Sequence, residues 1–299
     1  MKRNSRILLI LGLIAAAAYY LVPSFQFYEM SHEQREAMEL SSPAKLSDLK
    51  KKSLNLGLDL QGGIHLVLEV KTQGMQAEEA ADAVARAQEI IRNRVDQFGV
   101  AEPTIQRQGA DRILVQVPGL DDPERLKELI GTTAKMTFHL VDQTNSAAAS
   151  CGAGLRRPPG TLCLPSQDEL DAENNPIMYL VKRRIMVDGE NLVDAQATFQ
   201  DAQAVVSFRF DSVGARRFGD VTRQNVGQPF AIVLDKTVIS APVIREAILG
   251  GNGMISGNFT INSAQDLALL LRAGALPAPL TVVEERTVGA ELGADSIAA

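Results

Sequence analysis

A chain of 299 residues with 45% hydrophobic side chains has enough apolar material for one large or two modest cores. Its formal charge of −6 speaks against binding nucleic acid through a basic surface, and the absence of tryptophan with only 4 tyrosines speaks against an aromatic-lined ligand pocket. The two cysteines, Cys151 and Cys163, share one short loop-like stretch. Outside the cytosol such a pair reads as a local disulfide, and inside it as free thiols or half a metal site.

The N-terminus bears on the compartment. Lys2, Arg3 and Arg6 precede an uncharged, mostly apolar run from Ile7 to Val22. The run alone is short for a span of about 20 residues. Tyr19, Tyr20, Phe25, Phe27 and Tyr28 extend it with the aromatic belt of a membrane interface. The expectation is a transmembrane anchor over 7–28, with residues 1–6 cytoplasmic and the rest outside. A cleaved signal peptide is the alternative, because Ala15 to Ala18 offers a small-residue cleavage site. Both readings export the remainder of the chain, and export makes a Cys151–Cys163 disulfide the expectation, contributing about 3 kcal/mol by chain entropy. Zinc is the poorer reading, since no histidine lies nearby to complete four ligands.

Residues 29–52 form a polar link: helix-prone from Ser31 to Leu40, broken at Pro43, and ending in the solvated run Lys50 to Lys52. Apolar residues then fall on every second position from Leu54 to Leu60 and again from Ile64 to Val70. That period gives each half one buried face of a strand. Asn55, Gly57, Asp59 and Gln61 occupy the other face of the first half, and Gly62-Gly63 separates the halves. A single bulged strand and a tight hairpin both fit a glycine pair in this place.

Ala77 to Phe98 is the clearest helix, with Ala80, Val84, Ala87, Ile91, Val95 and Phe98 on one face and Gly99 closing it. Strands Pro103–Arg107 and Ile113–Val117 follow around a turn at Gly109 to Asp111. Asp122 and Pro123 open a short helix that buries Leu126, Leu129 and Ile130, and Lys135–Asp142 reads as a strand. From about Asn145 to Asn191 periodicity fades, apart from a weak strand at Tyr179–Lys182, and the stretch reads as an inserted subdomain with loose internal order. Order returns with a strand at Gln203–Phe210, a helix from Ser212 to about Asn225, and strands Phe230–Leu234 and Val238–Ile244 around Asp235-Lys236. Gly250 to Gly253 makes a loose turn before a short strand at Met254–Phe259. Ser263 to Asp266 has the spacing of a capping box ahead of a helix that buries Leu267, Leu270 and Leu271.

Each half therefore runs strand, helix, two strands, capped helix and closing strand, the order of a ferredoxin-like unit. The fold class expected is α+β: an N-terminal membrane helix, then a duplicated β-α-β-β-α-β base over 53–144 and 192–288, with a head inserted at 145–191.

Little of this is catalytic. His32, His65 and His139 are not at ligand spacing, and Gly250 to Gly253 lacks the Lys-Ser/Thr of a phosphate loop. Asp59 has no partner carboxylate, histidine or nucleophile placed near it by sequence, and a structural turn is the plainer reading. No enzyme activity, metal or cofactor is expected.

Two blocks carry a resemblance. Leu56 to Val70, which contains Gly57, Asp59, Gln61, Gly62 and Gly63, resembles the entry into the large periplasmic domain of the SecD/SecDF family of bacterial protein-export subunits. Leu269 to Leu280, which contains Arg272, Gly274, Pro277 and Pro279, followed by Val283 to Gly289, is similar to the segment where that domain returns to the membrane. The resemblance implies structural roles for these nine residues and a base that carries a head. It implies a membrane-anchored periplasmic module that binds translocating preproteins. In the complete protein, the module would help pull them across the inner membrane with the proton-motive force, alongside SecF, the SecYEG channel and YajC. Residues 289–299 would approach a second membrane helix, and the proton path would lie among later helices. Preprotein contacts are expected on the insert and on exposed edge strands. A scaffolding or sensory ectodomain that never touches substrate is the alternative reading, and an anchored hydrolase is disfavoured by the missing nucleophile and ligand sets.

Overall fold

The structure, a computed structural model, describes residues 62–288 except 101, 102, 121 and 153, together with scattered residues before 62. Part of the expected anchor at 7–28 lies outside the described residues (7–9, 14–17, 25, 27 and 28), as do Gly57, Asp59, Gln61 and the whole of 289–299. Among the described residues, no helix is long and apolar enough to cross a membrane.

The first sheet collects both ends of the domain. Strand β1 (Gly63–Val70) is hydrogen bonded on one side to β3 (Arg112–Pro118) and on the other to β13 (Leu280–Val288). Strand β2 (Thr104–Gln108) completes the order β13-β1-β3-β2, with every neighbour antiparallel. Helices α1 (Ala77–Phe98) and α2 (Pro123–Gly131) supply the rest of this core: Ile64, Leu66 and Leu68 from β1 and Ile113, Val115 and Val117 from β3 meet Val84, Ala87, Ile91 and Val95 from α1. α1 ends where Gly99 takes φ 87°, and α2 begins where the Asp122 carboxylate accepts from Arg125 N at 3.0 Å. Set aside residues 132–279, and the connectivity is β-α-β-β-α-β, with β13 as the closing strand.

The intervening chain forms a second layered body. One sheet has the order β6-β5-β11-β10-β4-β7, built from β4 (Met136–Leu140), β5 (Thr161–Leu170), β6 (Pro176–Lys182), β7 (Val187–Asp188), β10 (Phe230–Leu234) and β11 (Thr237–Ser240). The other has the order β12-β9-β8, from β8 (Leu192–Gln200), β9 (Gln203–Phe210) and β12 (Asn252–Ile255). The second core lies among these sheets and two helices, α4 (Ser212–Gln224) and α5 (Ile261–Ala273); the four-residue α3 (Ala147–Ser150) stands outside it.

Three sequence expectations change here. The second half of the chain is not a copy of the first, because its strands are divided between two sheets and its last strand, β13, closes the first sheet instead. Strands β5 and β6, which lie within 145–191, do not form a sheet of their own: Val238 of β11 pairs with Ser166 of β5, and Val141 bridges Val181 of β6. The cap of α5 sits three residues earlier than its spacing suggested. Thr260 is the N-cap and exchanges hydrogen bonds with Ser263, which leaves Asp266 free to reach Arg125 of α2. Two strand ends also shorten, β11 stopping at Ser240 and β12 at Ile255.

Candidate functional site

Two places in this fold gather side chains beyond ordinary packing: the junction between the two bodies, and a cavity in the second.

At the junction the chain leaves the first body after α2 and returns through 274–279, and the two crossings touch where Leu276 N donates to Thr133 O at 2.9 Å. Arg94 of α1 lies fully buried beneath them. Its Nη1 donates to Leu129 O at 2.8 Å, Ile130 O at 3.1 Å and Thr132 O, the open carbonyls at the end of α2, and its Nη2 donates to Gly274 O at 3.0 Å. Burial pushes the Arg94 pKa down to about 10, partly opposed by the charge of Asp235. That aspartate sits in the β10–β11 turn at φ 47° and accepts from Thr133 Oγ1, Ala134 N at 2.8 Å and Lys135 N at 2.9 Å. Arg125, stacked 5.4 Å from the Phe98 ring centroid, forms an ion pair with Asp266 whose hydrogen bond raises the guanidinium pKa.

The described residues of the two family-like blocks surround this junction and the sheet edge beside it. Arg272 Nε donates to Gln97 Oε1 at 2.9 Å, Gly274 ends α5 at φ 91°, and Pro279 O accepts from Lys71 N at 2.9 Å, while Pro277 is half-buried. Gly62 O accepts from Gly119 N at 3.0 Å. Gly63 takes φ 130° so close to β3 that a Cβ would lie 2.2 Å from Val117 O, and only glycine fits there. Since Gly63 pairs with Val288 and Val70 with Leu280, blocks some 200 residues apart become neighbours in one sheet. Cys151 and Cys163 are joined in a disulfide with Cα atoms 5.5 Å apart.

The cavity, of about 280 Å³, opens beside a cluster of phenylalanines. The ring centroid of Phe138 lies 5.5 to 5.8 Å from those of Phe208, Phe210, Phe218 and Phe230. Edge-to-face and tilted pairs of this kind are each worth about 0.5–1.5 kcal/mol beyond burial, so the floor is stiff. Gly253 lets Phe208 approach, because a Cβ there would meet the ring at 2.2 Å. The wall is the 242–248 segment, tied down where Ile244 N donates to Gln228 O at 3.0 Å and Ile248 N to Thr222 Oγ1 at 2.9 Å. Val243 and Met254 stand exposed at the mouth, with Arg245 and Glu246 on the rim. The phenylalanines back the cavity from the core, none of Phe138, Phe208, Phe218 and Phe230 being more than 4% exposed.

Both histidines of the described domain engage protein partners. His65 shares a hydrogen with Gln116 Nε2 at 3.0 Å, and His139 is held by Lys182 O at 2.8 Å and Thr137 Oγ1 at 3.1 Å. Among the described residues, no three His, Cys, Asp or Glu side chains gather as a metal site. What the geometry offers is an apolar recess on a packed floor, with a few polar groups at its rim.

Known proteins match in the same arrangement. The profile described as the SecD/SecF GG motif matches residues 54–73, the SecDF P1 domain, N-terminal, matches 84–143, and the SecDF P1 head subdomain matches 164–278. Protein translocase subunit SecD of Acetobacter pasteurianus is 51% identical over 240 residues, covering 80% of this chain and 44% of that protein. The chain belongs to the SecD/SecDF family. SecD of Rickettsia conorii is 42% identical over 266 residues, covering 87% of this chain and 50% of its own. The chain thus spans about half the length of the curated relatives it matches. A crystal structure of SecDF in a super-membrane-facing form superposes with a TM-score of 0.62 at 33% identity, covering 96% of this chain and 35% of that one. A structure described as a membrane component SecDF that enhances protein export gives 0.58 at 35% identity, covering 74% of this chain and 99% of that one. In this family frame, all the named cavity residues except Phe138 fall within the segment matching the P1 head.

Sequence reading missed both Arg94 and the cavity. Arg94 is three residues after Ile91 and seven after Ala87, on the apolar stripe of α1, and a lone arginine on such a stripe was the available signal. The cavity had no such signal, because its residues come from six separate elements and loops.

Proposed function

We propose that this chain is the membrane-anchored periplasmic part of a protein-export subunit, and that the cavity beside Phe138 holds apolar segments of polypeptides in transit. In the complete protein, helices beyond this chain would couple that hold to the proton-motive force, with SecF, the SecYEG channel and YajC as partners. The single observation behind the reading is an open apolar recess of about 280 Å³ on an aromatic floor, in a segment matching the head of a translocase family. An unfolded chain presents apolar side chains that a folded one buries, so such a recess distinguishes the two without reading sequence. We draw the head as 136–273, wider than 145–191, because the strands of the insert share a sheet with β4, β10 and β11.

The test is binding of a labelled secretory protein, held unfolded or allowed to fold, to the full chain in nanodiscs of zwitterionic lipid. Unfolded protein is expected to bind and folded protein not. Val243→Asp and Met254→Asp are expected to weaken binding at least tenfold, both positions being exposed enough to take a charge without unfolding the head. The control is Val283→Asp on the outer strand β13, 47% exposed, which should leave binding unchanged. Loss at Val283 alone would move the site to the edge of the first sheet. No binding by a folded chain would favour the scaffolding reading.

A further inference from the structure

A second concavity, of about 750 Å³, lies on the other side of α4 from the apolar cavity. Phe218 and Thr222 of α4 line the first, while Val213, Arg216, Arg217 and Asp220 line the second, so the helix is a partition with a different chemistry on each side. The opposite wall comes from the β6–β7 connection, where Arg184 and Ile185 are exposed. The fold brings Arg184, the last residue of the basic run from Lys182, to one cleft with Arg216 and Arg217 in a chain of net charge −6.

Among the described residues, no carboxylate pairs with Arg184 or Arg217. Arg216 gives only its Nε to Ser212 O of its own helix, at 3.4 Å. Asp220, the one carboxylate lining the cleft, is engaged by Arg223. Guanidinium groups that the protein itself leaves unpaired, beside the aliphatic side chains of Ile185 and Val213, present planar donors suited to carboxylates with apolar surface next to them. A bilayer surface also attracts arginines, but a flat surface does not fill a recess with a helix for one wall and a loop for the other.

We infer that the Arg184, Arg216 and Arg217 cleft takes carboxylates of the same polypeptide segment whose apolar part occupies the cavity across α4. This inference rests on the proposed function and names its substrate class: apolar segments flanked by acidic residues. A helix is about 10–12 Å across, and a chain passing round it from one side to the other travels about 16–19 Å, or five to six extended residues. The acidic residues thus belong within about that spacing of the apolar ones.

Three labelled peptides test it, sharing one apolar core and flanked on both sides by three aspartates, three serines or three lysines. They are titrated against the full chain in zwitterionic nanodiscs. The expected order is acidic, then neutral, then basic, with about tenfold between the first two at low salt, narrowing as salt rises. Arg216→Gln with Arg217→Gln should abolish the acidic preference and leave the neutral peptide's affinity unchanged. Equal binding of acidic and neutral peptides, or a preference that survives the double substitution, overturns the inference. Equal peptide binding together with arginine-dependent capture of anionic vesicles would also overturn it and assign the cleft to a lipid surface. Tight binding of the acidic peptide without any binding of the neutral one would uphold the arginine site and count against the apolar cavity. No binding of any peptide would take down both.

Discussion

Replacing Arg94 with methionine tests whether the junction is a structural keystone. The guanidinium is fully buried and donates to four carbonyls, three at the end of α2 and one at Gly274 on the returning chain. Holding its charge there has a cost: a pKa lowered to about 10 from 12.5 corresponds to roughly 3 kcal/mol against the charged form. Charge-assisted hydrogen bonds contribute about 1.5–3 kcal/mol each, so four of them outweigh that cost, though not additively. Methionine fills much of the volume and restores none of the donors, leaving buried carbonyls unsatisfied at about 1–3 kcal/mol apiece. The net loss expected is about 3–5 kcal/mol. With a urea dependence of about 3 kcal/mol/M, the unfolding midpoint should fall by about 1 to 1.7 M, read by pulse proteolysis of the full chain in nanodiscs. Arg94→Lys should fall between the two, since one ammonium cannot serve both α2 and Gly274. Arg86→Met, on the solvated face of the same helix, should shift stability by under about 0.5 kcal/mol. A midpoint for Arg94→Met within 0.3 M of wild type, roughly the same small effect as that control, would refute the argument.

Gly63→Ala forces a Cβ to within 2.2 Å of Val117 O at φ 130°, so it should cost about 3 kcal/mol and loosen the β1–β3 pairing; hydrogen exchange of the β1 amides checks it, and wild-type protection in the variant would contradict it. Reducing Cys151–Cys163, which closes a separation of 12 residues, should lower stability by about 3 kcal/mol by chain entropy, visible as a lower urea midpoint in reductant that a Cys151→Ser, Cys163→Ser variant reproduces without it. Hydrogen bonds from Thr144 and then Asn145 hold the Asp142 pKa down to about 2. Because the folded value is the depressed one, its stabilising effect is complete above about pH 4 and is lost as the pH falls through 2. Asp142 is half-buried at the surface and its partners are local, so solvent screening keeps that effect to about 1 kcal/mol. Carboxyl NMR should place Asp142 near 2 in wild type and closer to the ordinary aspartate value in Asn145→Ala.

Local pattern sufficed where one element's own periodicity decides the outcome. The α1 stripe and its Gly99 terminus, the Asp122 cap and the Asp235-Lys236 turn are all settled within a few residues of sequence. It failed where distant chain decides. Thr260, Asn262 and Ser263 are all capable caps, and the choice follows from Arg125, 141 residues away from Asp266, drawing that carboxylate off the helix start. Strand β8 escaped notice because only Ala195 of its nine residues is buried, and its order comes from pairing with β9. The duplicated base looked right because element order repeats, yet pairing across the whole domain sends β13 back to β1. The arginine cleft was visible only as two unrelated basic runs until the fold set Arg184 and Arg216-Arg217 either side of one recess.

The measurement that bears most directly on the account places a photoreactive phenylalanine analogue at Val243, at the mouth of the cavity, in the complete export subunit in cells. A secretory protein is stalled in transit and the cells are irradiated. The account predicts an adduct with the stalled chain that disappears once transit is allowed to finish, and that Met254→Asp in the same protein suppresses. No adduct from position 243, alongside a strong one from the same analogue at Val283 on β13, would contradict it.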